Sequence, residues 1–267
     1  VNRRRSGLRS TAAALLALCS VLALGLTPQT AHASAPTVVS LTFDDGYTTH
    51  WTEAAPMLER HGLRATFYVN TARIDRSGRL TTDEVRQLAD AGHEIGGHTL
   101  DHARLTDVTA DERRRQVCDD RDTLRGLGLP ATTFAAPFGA SDADTMREIA
   151  SCGYTAARDV GGLVDCDGCP PAETLPPRDA YAIRTPSSVG EGTTVAGLKA
   201  MVRGAETAGG WLPLVFHHIC DPCEGNAGTK AIAPRDLERF LAWLAAREGR
   251  GTVVATVADA LARGGGS

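Results

Sequence analysis

The chain has 267 residues, with 28 Lys and Arg against 32 Asp and Glu and a formal net charge of −4. Residues 1–33 hold four arginines and no acid, so the charge of the remainder moves to −8. A balance this acidic argues against a surface built for nucleic acid or an anionic membrane, and the roughly 230 residues left are within the range of a one-domain (β/α) barrel.

The first 33 residues read as a signal peptide. Arg3, Arg4, Arg5 and Arg9 precede a small and apolar run from Ala12 to Leu26 that is short for a membrane span, and Ala31-His32-Ala33 suits signal peptidase. Cleavage after Ala33 is expected, leaving residues 34–267 as one secreted domain with no stable membrane insertion.

Val38 to Phe43 is β-branched, follows a proline and stops at Asp44-Asp45-Gly46, which predicts a buried strand ending in a turn. Helical spacing from Trp51 to His61 ends at Gly62, and Ala65 to Val69 forms a second strand. Thr81 with Glu84, and Thr109 with Glu112, have capping-box spacing and open helices reaching Ala91 and Leu127, with a strand at His93 to Gly97 between them. Further strands are expected at Thr133–Ala136, Tyr154–Ala157, Ala182–Arg184, Leu212–Phe216 and Val253–Ala255. Helices are expected at Asp142–Ser151, Val195–Thr207, Pro234–Ala246 and Thr256–Ala262, and Gly161 to Pro177 reads as a stapled loop. Seven or eight alternating units predict a parallel sheet closed into a barrel.

Six cysteines follow the leader: Cys118, Cys152, Cys166, Cys169, Cys220 and Cys223. An even number in an exported chain favours disulfides. Cys118 with Cys152 is the preferred pair, and the four loop cysteines pair locally or with one another; a zinc-binding interaction module is the competing reading for those four.

Asp44 and Asp45 fall at the C-terminal edge of a strand, where barrel enzymes keep their sites, although a lone Asp-Asp-Gly is more often a capped turn. His98 and His102 are four apart, so one helical turn would bring both imidazoles to one metal. With a carboxylate they leave coordination positions open, as a catalytic site needs. Gly96-Gly97 just upstream argues instead for a tight, irregular loop. Leu214-Val215-Phe216 is an apolar run ending in His217-His218, and Pro137-Phe138-Gly139 follows another strand.

Taken in order, Thr42-Phe43-Asp44-Asp45-Gly46, His98-Thr99-Leu100-Asp101-His102, Pro137-Phe138-Gly139 and Val215-Phe216-His217 resemble the motifs of the polysaccharide deacetylases, the NodB-homology group of carbohydrate esterase family 4. The resemblance covers about Thr37 to Ala262 and implies a distorted (β/α)7-8 barrel of that type. It implies a divalent metal, most simply Zn2+, on Asp45, His98 and His102, with Asp44 as base, His217 as acid and the Phe138 N–H on the oxyanion. The implied substrate is an N-acetylglucosamine-containing polymer such as chitin, peptidoglycan or poly-N-acetylglucosamine. An O-acetyl (xylan-type) esterase and a non-catalytic carbohydrate-binding protein are the alternatives.

Two departures stand out. Many relatives carry an arginine two residues before the motif proline, where this chain has Ala135, and Arg158 or Arg184 is expected to supply the charge. The Asp-Trp segment that tunes the acid histidine is missing, and Asp159 is the expected substitute. His218 stands where the family often has Asp.

Overall fold

The computed structural model describes residues 1, 2, 36–223 and 225–265, so all but the first two residues of the expected leader lie outside the described residues. Everything below belongs to the unit Ser34–Ser267.

In chain order the elements are β1 (Thr37–Asp44), α1 (Ala55–Arg60), β2 (Thr66–Val69), α2 (Thr82–Asp90), β3 (Glu94–Gly97), α3 (Ala110–Arg114), α4 (Asp120–Gly126), β4 (Thr133–Ala135) and α5 (Ala143–Ser151). There follow β5 (Ala156–Gly162), β6 (Ile183–Thr185), α6 (Val195–Ala208), β7 (Trp211–Phe216), β8 (His218–Ile219), β9 (Ala231–Ile232), α7 (Pro234–Ala245), β10 (Thr252–Val254) and α8 (Val257–Gly264).

All eight residues of β1 are buried, as a strand covered on both faces requires. On one edge it pairs with β7 from Val38↔Trp211 to Phe43↔Phe216. The other edge is shared: β10 takes Thr37–Val39 and β2 takes Thr42–Asp44. From β2 the parallel order continues through β3, β4, β5 and β6. Among the described residues no ladder joins β6 to β7, so the barrel stops just short of closure.

Period-two alternation divides the two faces of β1. Val39, Leu41 and Phe43 join the larger apolar core, where the Phe43 ring stacks on Phe67 and Phe216 at 5.1 and 5.2 Å. On the other face Val38 joins a smaller apolar cluster and the residues after it are polar: Ser40 accepts from Trp211 Nε1 at 2.9 Å, Thr42 donates to the Leu214 carbonyl, and Asp44 meets Arg158. Helices cover the apolar face with spaced side chains, as α7 does with Leu237, Phe240, Leu241 and Leu244.

The capping box at Thr81 is complete. At Thr109 only half of it forms, because the Glu112 carboxylate is taken by Arg115 and Gln116. The helix expected from Trp51 begins as a wide π turn over His50–Ala54, where Ala55 N–H reaches the His50 carbonyl just before Pro56, which has no N–H to give. Strand β5 begins later than expected and runs on to Gly162, which puts Arg158 inside the strand. The β8–β9 ladder is only two residues deep, too short for any periodicity to announce.

The cysteines pair as Cys118–Cys152, Cys166–Cys169 and Cys220–Cys223. Two residues beyond each half of the first disulfide, Asp120 and Tyr154 meet through a hydrogen bond of 3.0 Å. Asp120 also accepts from the Thr71 hydroxyl at 2.8 Å, and both Asp120 and Tyr154 press against the bare Cα of Gly97, at the end of β3. Opening Cys118–Cys152 by double serine substitution is expected to lower stability by about 2–4 kcal/mol in urea unfolding.

Burial lifts the Asp120 carboxyl from 3.8 to about 7. The folded protein therefore holds this proton more tightly than the unfolded chain does. That contribution is complete below the unfolded value and is lost as pH rises through about 7. Asp120→Asn removes it, so the stability deficit of the variant should be larger near pH 5 than near pH 8 in thermal unfolding.

Candidate active site

Asp44 is the last residue of β1, and the chain then turns through two left-handed residues, Asp45 at φ 78° and Gly46 at φ 62°. That turn gives two adjacent carboxylates different neighbours. Asp44 stays inside the barrel with Arg158, while Asp45 faces the segment that follows β3.

That segment is the tight, irregular loop that Gly96-Gly97 argued for, and not the helical turn that the four-residue spacing allowed. Thr99 and His102 both have φ 68°, and the chain folds back on itself, bringing the two imidazole rings to a centroid distance of 5.0 Å. Left-handed backbone is uncommon for a β-branched residue and survives where neighbours fix it. Here Asn70 donates to the His98 carbonyl at 2.5 Å and the His102 N–H to the Thr99 hydroxyl at 2.9 Å.

His98 Nδ1 lies 2.6 Å from the Ala135 carbonyl, which can only accept, so Nδ1 carries the proton and Nε2 is a free lone pair. Nε2 of His98 and of His102 sit 3.7 and 3.3 Å from Asp45 Oδ1. Buried polar atoms without partners are costly, and both Asp45 Oδ1 and His98 Nε2 are in that condition. The three donor atoms lie within 4.8 Å of one another, and burial pushes His102 down to about 4, toward its neutral, ligating form. The donor set therefore fits a divalent cation of borderline softness.

Opposite, the Arg158 guanidinium donates through Nη2 to Asp44 Oδ1 and reaches the Thr42 hydroxyl at 3.4 Å, with the Tyr68 ring 4.8 Å beneath it. Burial would raise the Asp44 carboxyl, but Arg158, with His98 and His217, holds it below its ordinary value. Ala135 and Arg158 are lateral partners in the β4–β5 ladder, so the charge absent from one strand is delivered from the adjacent position on the next. Arg184 does not share this role: its guanidinium is bidentate on Glu173, at 2.8 and 2.7 Å. Asp159 accepts from the Ser141 hydroxyl at 2.6 Å, and that is the one hydrogen bond of its carboxylate among the described residues.

The two histidines after β7 part company. His217 is buried, with Nε2 4.0 Å from Asp44 Oδ2, and burial pushes it down to about 4 against the pull of Asp44 and Asp45. His218 turns outward onto the Tyr47 ring at 3.7 Å. His50 lies buried beneath them and donates from Nε2 to the His217 carbonyl at 2.7 Å.

Pro137-Phe138-Gly139 forms a tight turn with positive φ at Phe138 and Gly139. A Cβ on Gly139 would fall 2.8 Å from the Val160 backbone nitrogen, so only glycine fits there. The Phe138 ring is 50 % exposed, held between His102 at 4.5 Å and the Arg104 guanidinium at 4.2 Å. Asp44, His98, His102, Phe138, His217 and Lys230 line a cavity of about 50 Å³. Since one liquid water occupies about 30 Å³, this space takes a small substituent and leaves any larger body outside. A larger groove of about 800 Å³, lined by Trp51, Pro56 and Leu88 on the outer flank of α1 and α2, holds none of these groups.

With this geometry in view, comparison with known proteins is direct. Residues 32–157 match the family model described as polysaccharide deacetylase. A peptidoglycan-N-acetylglucosamine deacetylase of Bacillus cereus is 33 % identical over 100 residues, 37 % of this chain and 35 % of its own length. A chitin deacetylase of Colletotrichum lindemuthianum is 29 % identical over 123 residues, 45 % of this chain and 49 % of its own. The chain spans about a quarter to a half of the length of the curated relatives it matches. Its fold is shared with a family 4 acetyl xylan esterase from Clostridium thermocellum solved with a cobalt ion, at TM-score 0.56 and 21 % identity over 85 % of this chain and 91 % of that one.

Sequence reasoning did not find Tyr47, Arg79, Asp120 or Lys230. They lie outside the motifs, and a repeat of acids or histidines, the only signal available, does not point to them. Replacing Arg158 with Met leaves the Asp44 charge buried and unpaired, and should cost about 3–5 kcal/mol in urea unfolding. Adding Asp44→Leu should recover part of that loss.

Proposed function

We propose that the chain is a metal-dependent hydrolase that removes N-acetyl groups from an N-acetylglucosamine-containing polymer and releases acetate. The observation that carries this reading is the opposition, across one small cavity, of a buried carboxylate–arginine pair and a His2Asp donor set with unpartnered atoms. The cavity admits a group of acetyl size, so the sugar ring would lie across its mouth beside Phe138.

Asp45, His98 and His102 would hold the cation, most simply Zn2+. When bound there, such an ion polarises the acetyl carbonyl and makes water acidic enough to attack near neutral pH. Asp44, kept ionised and aimed by Arg158, takes the proton from the attacking water. The Phe138 N–H donates to the oxygen that becomes negative. His217 gives a proton to the departing nitrogen, which leaves as an amine; its resting imidazole is neutral, and Asp44, 4.0 Å away, is the nearest source of the proton it passes on. Three disulfides support an oxidising compartment, consistent with export of the chain after a leader ending at Ala33.

Acetate release from N-acetylglucosamine oligomers and from acetylated xylan, before and after chelation and zinc restoration, tests the reading. Release from the oligomers that chelation stops and zinc restores is expected, with Asp44→Asn slower by about 10²- to 10⁴-fold. Release from xylan alone would move the assignment to an O-acetyl esterase. Metal-loaded protein inert on both polymers, yet retaining oligosaccharide, would indicate a binding protein.

A further inference from the structure

Asp45 holds a left-handed backbone at φ 78°, which a non-glycine residue keeps only where its surroundings over-determine it. The surroundings that do so come from the turn at residues 76–80. Arg79 Nη1 donates to the Asp45 carbonyl at 2.6 Å, and Leu80 N–H to the Gly46 carbonyl at 2.9 Å. The next residues complete the clamp: Tyr47 and Arg79 form an antiparallel bridge, and Thr48 bonds the Gly78 and Arg79 carbonyls through its N–H and hydroxyl, each at 3.1 Å.

The Arg79 guanidinium also lies 4.1 Å from the centre of the Tyr47 ring, and the His218 ring 3.7 Å from it. Two groups that close to one ring centre cannot share a face, so Tyr47 is sandwiched between them. His218 is in turn fixed through the β8–β9 ladder, where it pairs with Ala231, and through the Ile219 N–H, which donates to the Thr49 hydroxyl at 3.4 Å. One end of the stack therefore grips the backbone of Asp45, and the other is the residue bonded to His217.

We propose that Arg79, Tyr47 and His218 form a positioning stack that holds Asp45 in its left-handed conformation, with the carboxylate toward His98 and His102, and fixes His217 relative to it. Neither end of the stack touches the reacting atoms. It acts on the donor set in two ways, through the Asp45 backbone, which Arg79 grips, and through the Tyr47 hydroxyl, which hydrogen-bonds the Asp45 carboxylate, as groups behind a metal ligand typically tune affinity by about 10- to 100-fold. The inference rests on the proposed function only for the presence of a divalent cation.

The test is cation affinity, read without substrate from the visible absorption of Co2+ and from competition by Zn2+, on the purified full chain and its variants. Arg79→Ala and Tyr47→Ala should each bind about 10- to 100-fold more weakly than the native protein. Tyr47→Phe should recover part of what Tyr47→Ala loses, because it keeps the ring between Arg79 and His218 while giving up the hydroxyl's bond to the Asp45 carboxylate, and Arg79→Lys should also recover part. Metal-free melting temperatures identify any variant that fails to fold, in which case the Lys and Phe variants carry the comparison. Native affinity in a folded Arg79→Ala or Tyr47→Ala protein overturns the proposal, as does a Tyr47→Phe protein as weak as Tyr47→Ala, which would assign the effect to the hydroxyl alone. A native protein that binds neither ion would instead remove the metal-dependent function itself.

Discussion

A guanidinium withdrawn from water into a β barrel is tolerated only if a carboxylate meets it, and Arg158 and Asp44 meet in this way at 1 % and 2 % exposure. The pair joins β1 to β5 through the inside of the barrel, with Tyr68 and Thr42 completing its surroundings. Much else follows from this contact. Asp44 is fixed as an anion whose remaining oxygen faces His217, and β1, thereby anchored, presents Asp45 just beyond its end.

The second recurring device is the left-handed residue at a strand terminus. Asp45, Thr99, His102 and Phe138 all have positive φ, and every one belongs to a segment that lines or supplies the cavity. Each such residue reverses the chain more sharply than a regular turn would, which is how groups from three strand ends, those of β1, β3 and β4, converge within a few ångströms. The cost is local and is met by specific hydrogen bonds from Asn70, Thr99 and Arg79.

Much of the fold was legible in the sequence because its elements are locally marked. Capping residues opened the helices at Thr81, Thr109 and Asp142, and β-branched runs marked β1 and β7. Acids and histidines at strand ends pointed to the cavity for the same reason. What was not legible depends on lateral neighbours. Strand position alone could not separate Arg158 from Arg184, since the deciding fact is which cross-strand partner each finds. Gly96-Gly97 did mark the loop that carries His98 and His102, but not the contacts of Tyr68, Tyr154 and Asp120 that press on those two glycines. Arg79 and Asp120 matter through single contacts across the tertiary structure, which carry no periodic trace.

The ladder partnership of Ala135 and Arg158 has a consequence for the history of such barrels. Lateral partners project from the same face of a sheet, so an arginine at either position would reach for the same carboxylate, and arginines at both would crowd one anion with two cations. The two positions are alternatives for a single charge. Among descendants of a common ancestor they should therefore covary, one gaining arginine as the other loses it. A lineage judged defective because one motif letter is missing can carry the same electrostatics one strand away.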